Sequence, residues 1–155
     1  MNRNCNYFHM PMSDYGSEPF VTNMEKATRQ NTNYRTALWT GQHLQLTLMS
    51  IPVGGEIGLE VHPDTDQFLR IERGNAVAMM GPAEDRLNYQ RPVSDGYSVF
   101  VPAGTWHNVV NTGNCPLKMY TLYAPPHHPH GTVQATKAIA DMDGYEQDPC
   151  AFGFS

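Results

Sequence analysis

Short apolar segments that alternate with polar residues, each closed by a turn-forming cluster, recur from Tyr34 to Ala124. That pattern restricts the chain to a fold of many brief strands. "HLQLTLMSI" (43–51) places Leu44, Leu46 and Leu48 on one face and Gln45, Thr47 and Met49 on the other. "NAVAMMG", "YSVFVP", "WHNVVN" and "LKMYTLYA" continue the theme, separated by "GPAED", "SDG", "PAGT" and "NTGNCP". Thirteen glycines and twelve prolines among 155 residues favour tight turns over long helices. The expectation is a single all-β barrel or sandwich over residues 34–125, with short extensions at both ends.

The extensions lack this alternation. Residues 1–20 are rich in Asn, Met and Tyr and read as a flexible arm or a loosely docked extension. Residues 21–33 form a lead-in, in which "NMEKATRQN" offers Asn23 as the cap of a short helix. Residues 126–155 carry a His/Pro-rich loop, one short helix at "TKAIADMDG" (136–144) and a tail.

Charge narrows the partners. A net charge of −5 with only 16% charged residues gives no basic face for nucleic acid or an anionic membrane. No apolar run reaches the ~20 residues of a membrane span, and the first residues lack the apolar centre of a signal peptide. Cys5, Cys115 and Cys150 are an odd, scattered set with no CxxC, neither a disulfide framework nor a structural zinc site. The expected setting is the reducing cytoplasm and the expected partner a small molecule.

"GGEIGLEVHPDTDQFLRIERG" (54–74) is the unusual stretch, because Glu60 and His62 stand two apart where a strand would turn one face inward. Downstream, "GYSVFVPAGTWHNVVN" (96–111) fits the spacing Gly, five residues, Pro, any, Gly, two residues, His, three residues, Asn, through Gly96, Pro102, Gly104, His107 and Asn111. Together the two stretches resemble the paired motifs of the cupin superfamily, small β-barrels related to the jelly roll. The resemblance covers about residues 34–125 and extends to small stand-alone cupins grouped with sugar and sugar-phosphate isomerases, mannose-6-phosphate isomerase among them. It implies that Gly54 and Gly74 bound the first motif. Glu60 then stands at the first histidine's place, His62 at the second, Gln67 where the family has glutamate, and His107 at the histidine of the second motif. A shorter family spacing would make Asp66 the ligand in place of Gln67.

The implied set of Glu60, His62, Gln67 and His107 presents one formal negative charge, as three imidazoles and a carboxylate would. Glu60, His62 and His107 form a two-histidine, one-carboxylate group suited to Fe, Mn, Ni or Zn with exchangeable positions left open. Without a cation, burying Glu60 beside two histidines costs several kcal/mol unless it is well paired. Such a centre can polarise a sugar carbonyl and its neighbouring hydroxyl for isomerisation, with Glu60 or His107 moving the proton. Two rivals remain open: Fe(II)-dependent dioxygenation, and a non-catalytic module that binds or senses a small ligand.

Other features rank lower. "PPHHPHG" (125–131) presents His127, His128 and His130 in a loop without fixed geometry, as surface or as a cover over the barrel mouth. His43 opens an inner strand and reads as a core histidine, Trp106 as ordinary core, and Arg70, Glu72 and Arg73 as a solvated or dimer-facing ladder. The resemblance also implies a homodimer, with the N-terminal arm able to cover a neighbour's strand edge.

Overall fold

The computed structural model describes residues 9–147. Cys5 and Cys150 therefore lie outside the described residues, and Cys115 is a free thiol, partly buried. The strands are β1 (Arg35–Thr40), β2 (Gln45–Ile51), β3 (Asp66–Arg73), β4 (Ala76–Gly81), β5 (Tyr89–Val93), β6 (Ser98–Val101), β7 (Trp106–Asn111), β8 (Leu117–Ala124) and β9 (Val133–Gln134). Two helices flank them, α1 (Met24–Gln30) and α2 (Lys137–Gln147). One antiparallel sheet runs β6-β3-β8-β2-β1-β9 and the other β5-β4-β7, the two faces of a jelly-roll barrel with short terminal extensions. No helix among the described residues is long and apolar enough to cross a membrane.

The register across the larger sheet decides where the site can lie. Inward side chains repeat every second residue, so paired strands lay down successive rows across the barrel. One row is Val101, Gln67, Tyr123 and Gln45; the next is Val99, Leu69, Thr121 and Thr47; the third is Ile71, Met119 and Met49. The barrel is thus polar at one end and apolar at the other. Its apolar half closes with Ile51, Ile57, Ala76, Ala78, Val93 and Val109. In the middle row the Thr47 and Thr121 hydroxyls meet at 2.6 Å, each supplying the partner that a buried hydroxyl needs.

Both faces of β2 are buried, for different reasons. Gln45, Thr47 and Met49 point into the barrel, whereas Leu46 and Leu48 point outward into a second cluster with Leu38 and Ala27. Met10, Met12, Tyr15, Phe20 and Met24 from the arm and α1 cover that cluster. Residues 9–20, expected as flexible or reaching a neighbour, lie against their own chain. The Tyr15 N–H donates to Leu38 O at 2.8 Å and the Trp39 indole donates to Glu18 O at 2.8 Å. Asp14 accepts from Thr40 N–H (2.9 Å), Thr40 Oγ1 (2.6 Å) and Gly131 N–H (2.9 Å), tying arm, β1 and the His/Pro loop together.

The helices follow their local signals. Asn23 caps α1 by accepting from Lys26 N–H at 3.0 Å, as its sequence position predicts. Thr136 caps α2, accepting from Ile139 N–H at 3.2 Å, and the helix continues past the expected end at residue 144 to Gln147. Three expectations are corrected. His43 is exposed in the β1–β2 turn, and Leu44 beside it is exposed too, because β2 begins only at Gln45. Trp106 is half-buried at the start of β7.

Candidate metal centre

Residues 55–60 run beside β7 as an irregular extra strand of the smaller sheet. Asn111 N–H donates to Gly55 O at 2.9 Å and Ile57 N–H donates to Val109 O at 3.0 Å. Glu60 and His107 then exchange both backbone hydrogen bonds, at 3.0 and 2.9 Å. Such a doubly bonded antiparallel pair sends both side chains to the same side of the sheet. His62 is secured from the other motif, where the Gly104 N–H donates to its carbonyl at 2.9 Å. Gly104 does so from φ +79°, backbone that a residue with a Cβ rarely adopts. The glycine of the second motif therefore positions the histidine of the first.

The outcome is a tight cluster. Glu60 Oε1 lies 3.3 Å from His62 Nε2 and 3.2 Å from His107 Nε2, and the three ligand atoms sit within 4.8 Å of one another, a group that could hold a metal ion. His62 and His107 are buried, while the Glu60 side chain keeps 27% exposure. Burial alone pushes the Glu60 carboxyl up, but the hydrogen bond to His107 and the close His62 imidazole outweigh it and hold it well below the usual carboxylate range.

The donor set fits a cation on three observations. His107 Nδ1 lies 2.9 Å from Thr105 O, which selects the tautomer with the proton on Nδ1. The Nε2 lone pair then faces the Glu60 carboxylate across 3.2 Å, and two electron-rich atoms rest there only with a positive charge between them, a proton or a metal. Next, neither ring nitrogen of His62 completes a hydrogen bond, although both are buried. Finally, Gln67, buried on the inner face of β3, leaves both amide atoms without a partner. Orphaned buried donors and acceptors are costly, and convergent ones are what a metal ligand set looks like without its ion. Asp66 points away, accepting from Ala103 N–H at 2.8 Å on the exposed side, so of the two spacings it is Gln67 that faces the barrel interior.

The His/Pro loop, ranked low on sequence, closes the barrel mouth. Gln45 holds it through three hydrogen bonds: Oε1 accepts from the N–H groups of His127 (3.1 Å) and His128 (2.9 Å), and Nε2 donates to His128 O (2.8 Å); Nε2 also donates to Thr40 Oγ1 (3.0 Å) on β1. The His127 ring packs 4.1 Å from that of His62 and stacks on Tyr123 at 5.6 Å. Burial keeps both loop imidazoles uncharged, lowering His127 to about 4 and His128 further. His130 lies apart, against Gly16 O and Asp14. Arg70 and Glu72 pair at 3.7 Å on β3, where the Glu72 side chain is only 14% exposed. Beside the candidate ligands opens a cavity of about 520 Å³, whose wall includes Glu60, His127, Tyr34, Arg35 and Gln134. Arg35 was not anticipated, since a lone arginine at a strand start carries no signal of its own.

Residues 47–123 match the cupin-domain family model. The Bacillus subtilis (strain 168) protein YrkC is 60% identical over 129 residues, 83% of this chain and 69% of that one. Protein L612 of Acanthamoeba polyphaga mimivirus is 38% identical over 129 residues, covering 83% and 79% of the two chains. The crystal structure of BH2720 from Bacillus halodurans superposes with a TM-score of 0.83 at 59% identity, over 84% of this chain and 98% of that one. With the cupin-domain model matched across the two-sheet β-barrel, the chain belongs to the cupin family.

Proposed function

We propose that Glu60, His62 and His107, with Gln67 as a fourth donor, hold a divalent transition metal (Fe, Mn, Ni or Zn). We further propose that the protein is a metal-dependent enzyme for a small polyhydroxy or carbonyl metabolite, of the sugar or sugar-phosphate isomerase type. One observation carries this. Buried atoms of His62 and Gln67 have no hydrogen-bond partner around the Glu60–His107 pair, and the group stands beside a cavity of about 520 Å³, enough for one small metabolite. The ion would supply Lewis acidity toward a carbonyl and its adjacent hydroxyl.

The chain's own groups divide the remaining work. His107, locked by Thr105 and 1% exposed, is built to hold rather than to shuttle. Glu60 faces the cavity and His127 lines it, so these two stand where a substrate proton can be accepted. The loop that Gln45 clamps over the mouth limits water around them.

A second reading follows from the ligand types, since two histidines and one carboxylate also suit an Fe(II) dioxygenase. Metal analysis by plasma mass spectrometry on the wild type and a His62→Ala/His107→Ala variant tests both. Near-stoichiometric metal in the wild type, absent from the variant, is expected. Aldose–ketose interconversion without oxygen uptake then supports the isomerase, and Fe-dependent oxygen uptake the dioxygenase. A wild type that takes up no added metal refutes both and leaves a ligand-binding barrel.

A further inference from the structure

Among the described residues, Arg35 is the one guanidinium in the cavity wall, and no carboxylate pairs with its charge. The residue is 5% exposed, yet no carboxylate among the described residues comes within ion-pair distance of it. Its Nη1 donates to a neutral amide, Gln134 Oε1, at 2.6 Å, and its carbon end lies 5.0 Å from the Tyr34 ring centroid. Its Nε is buried without a well-formed hydrogen bond, and the Tyr123 hydroxyl, buried beside it, is its neutral neighbour. Glu60 acts on it only at longer range.

The other charges around the cavity are engaged. Lys137 pairs with Asp141 at 2.8 Å, Asp143 accepts from Gln134 at 3.1 Å, and Glu56 accepts from Asn108 at 3.3 Å. A buried, unpaired cation is among the costlier things a fold can keep. Kept beside a ligand-sized space, it signals an anion that arrives from outside. With Nη1 committed to Gln134, the free Nε side of the guanidinium presents the two-pronged edge that matches a carboxylate.

We propose that Arg35 anchors a carboxylate of the substrate, which narrows the polyhydroxy or carbonyl metabolite proposed above to a small hydroxy- or oxocarboxylate, a sugar acid in place of a neutral sugar or a sugar phosphate. This deepens the function proposed above and rests on it for the second point of contact, where the substrate's hydroxyl or carbonyl oxygen meets the Glu60/His62/His107 centre. The cavity then reads an anionic group at one end and an oxygen pair at the other.

The test is binding, followed by thermal shift and calorimetry on metal-loaded protein whose metal content is measured in the same samples. The probes at millimolar concentration are glycolate, D-glucuronate, D-glucose and D-glucose 6-phosphate. Glycolate and D-glucuronate should stabilise the wild type and D-glucose should not. Arg35→Met should weaken the carboxylates at least ~10-fold, the loss of one charge-assisted contact, with metal content unchanged. Arg35→Met should also fold as well as the wild type, because it removes an unpaired charge and keeps an apolar stem over Tyr34. If it does not fold, Arg35→Lys serves: it keeps the charge, loses the two-pronged edge, and should bind carboxylates more weakly than the wild type.

Carboxylates that bind no better than D-glucose, a preference for D-glucose 6-phosphate, or equal carboxylate binding by the Arg35 variants would each overturn the proposal. Failure of the metal reading shows separately, as protein that binds carboxylates through Arg35 while holding no metal.

Discussion

Replacing Gln45 by leucine removes the side chain that holds the His127 and His128 backbone over the barrel mouth. The amide makes four hydrogen bonds, three of them to the backbone of that loop at 2.8 to 3.1 Å. Each is worth about 1 kcal/mol net, and leucine would leave three loop groups unsatisfied if the loop stayed closed. A closed loop therefore costs about 3–5 kcal/mol, a large share of an ordinary domain's stability. The loop has a cheaper alternative, which is to open and let water replace the amide. The variant should lose about 2–3 kcal/mol, a displacement of roughly 1–2 M in the urea midpoint. Hydrogen exchange is the sharper assay. The His127 and His128 amides should exchange on the order of 100-fold faster, while those of β2 and β8 remain protected. Metal uptake should be unchanged, because Gln45 touches none of Glu60, His62 or His107. An unshifted midpoint with both amides still protected would refute the idea that this side chain closes the mouth.

Two further outcomes follow from buried polar contacts. Asn111 donates to Ile51 O, Pro52 O and Cys115 O at 3.0 to 3.1 Å, so Asn111→Asp sets a carboxylate against three carbonyl oxygens. It should cost about 3–5 kcal/mol and more than Asn111→Ala, by thermal or urea unfolding. At Asp14, burial pushes the carboxyl up, but the Thr40 hydroxyl, the Gly131 and Gly16 amides and His130 together outweigh it and hold the group below its ordinary range. A depressed carboxyl contributes stability above its unfolded value that is lost as pH falls through the folded one. Asp14→Asn should therefore be less stable than wild type at neutral pH, and the gap should narrow below about pH 4 in pH-resolved unfolding.

Much of the metal centre was legible because its signals are local. Glu60 and His62 share a face by the two-residue period of extended backbone, and the run from Pro102 to His107 is short enough for one turn to set its geometry. The turn that holds Gly104 at φ +79° also brings its N–H to His62, which is why the two motifs work as one. The choice between Asp66 and Gln67 needed the strand itself. Adjacent residues point to opposite faces, and only pairing with β6 and β8 decides which faces inward.

Residues distant in the chain account for what was missed. Gln45 meets the His128 backbone across 83 positions, and Arg35 meets Gln134 across 99. No local pattern marks either, so a loop read as surface became the cover of the site and an arginine without a motif became part of its wall. The two faces of β2 show the same limit. Alternation separates Leu46 and Leu48 from Gln45, Thr47 and Met49, but an arm docked from residues 9–20 makes the leucine face outer and still buried. The sequence by itself determined a β-barrel and which residue types could converge as ligands, because strand period and turn chemistry act over a few residues. The register between remote strands decided the polar end of the barrel, its cover and its unpaired cation, because those depend on partners that only the closed fold brings together.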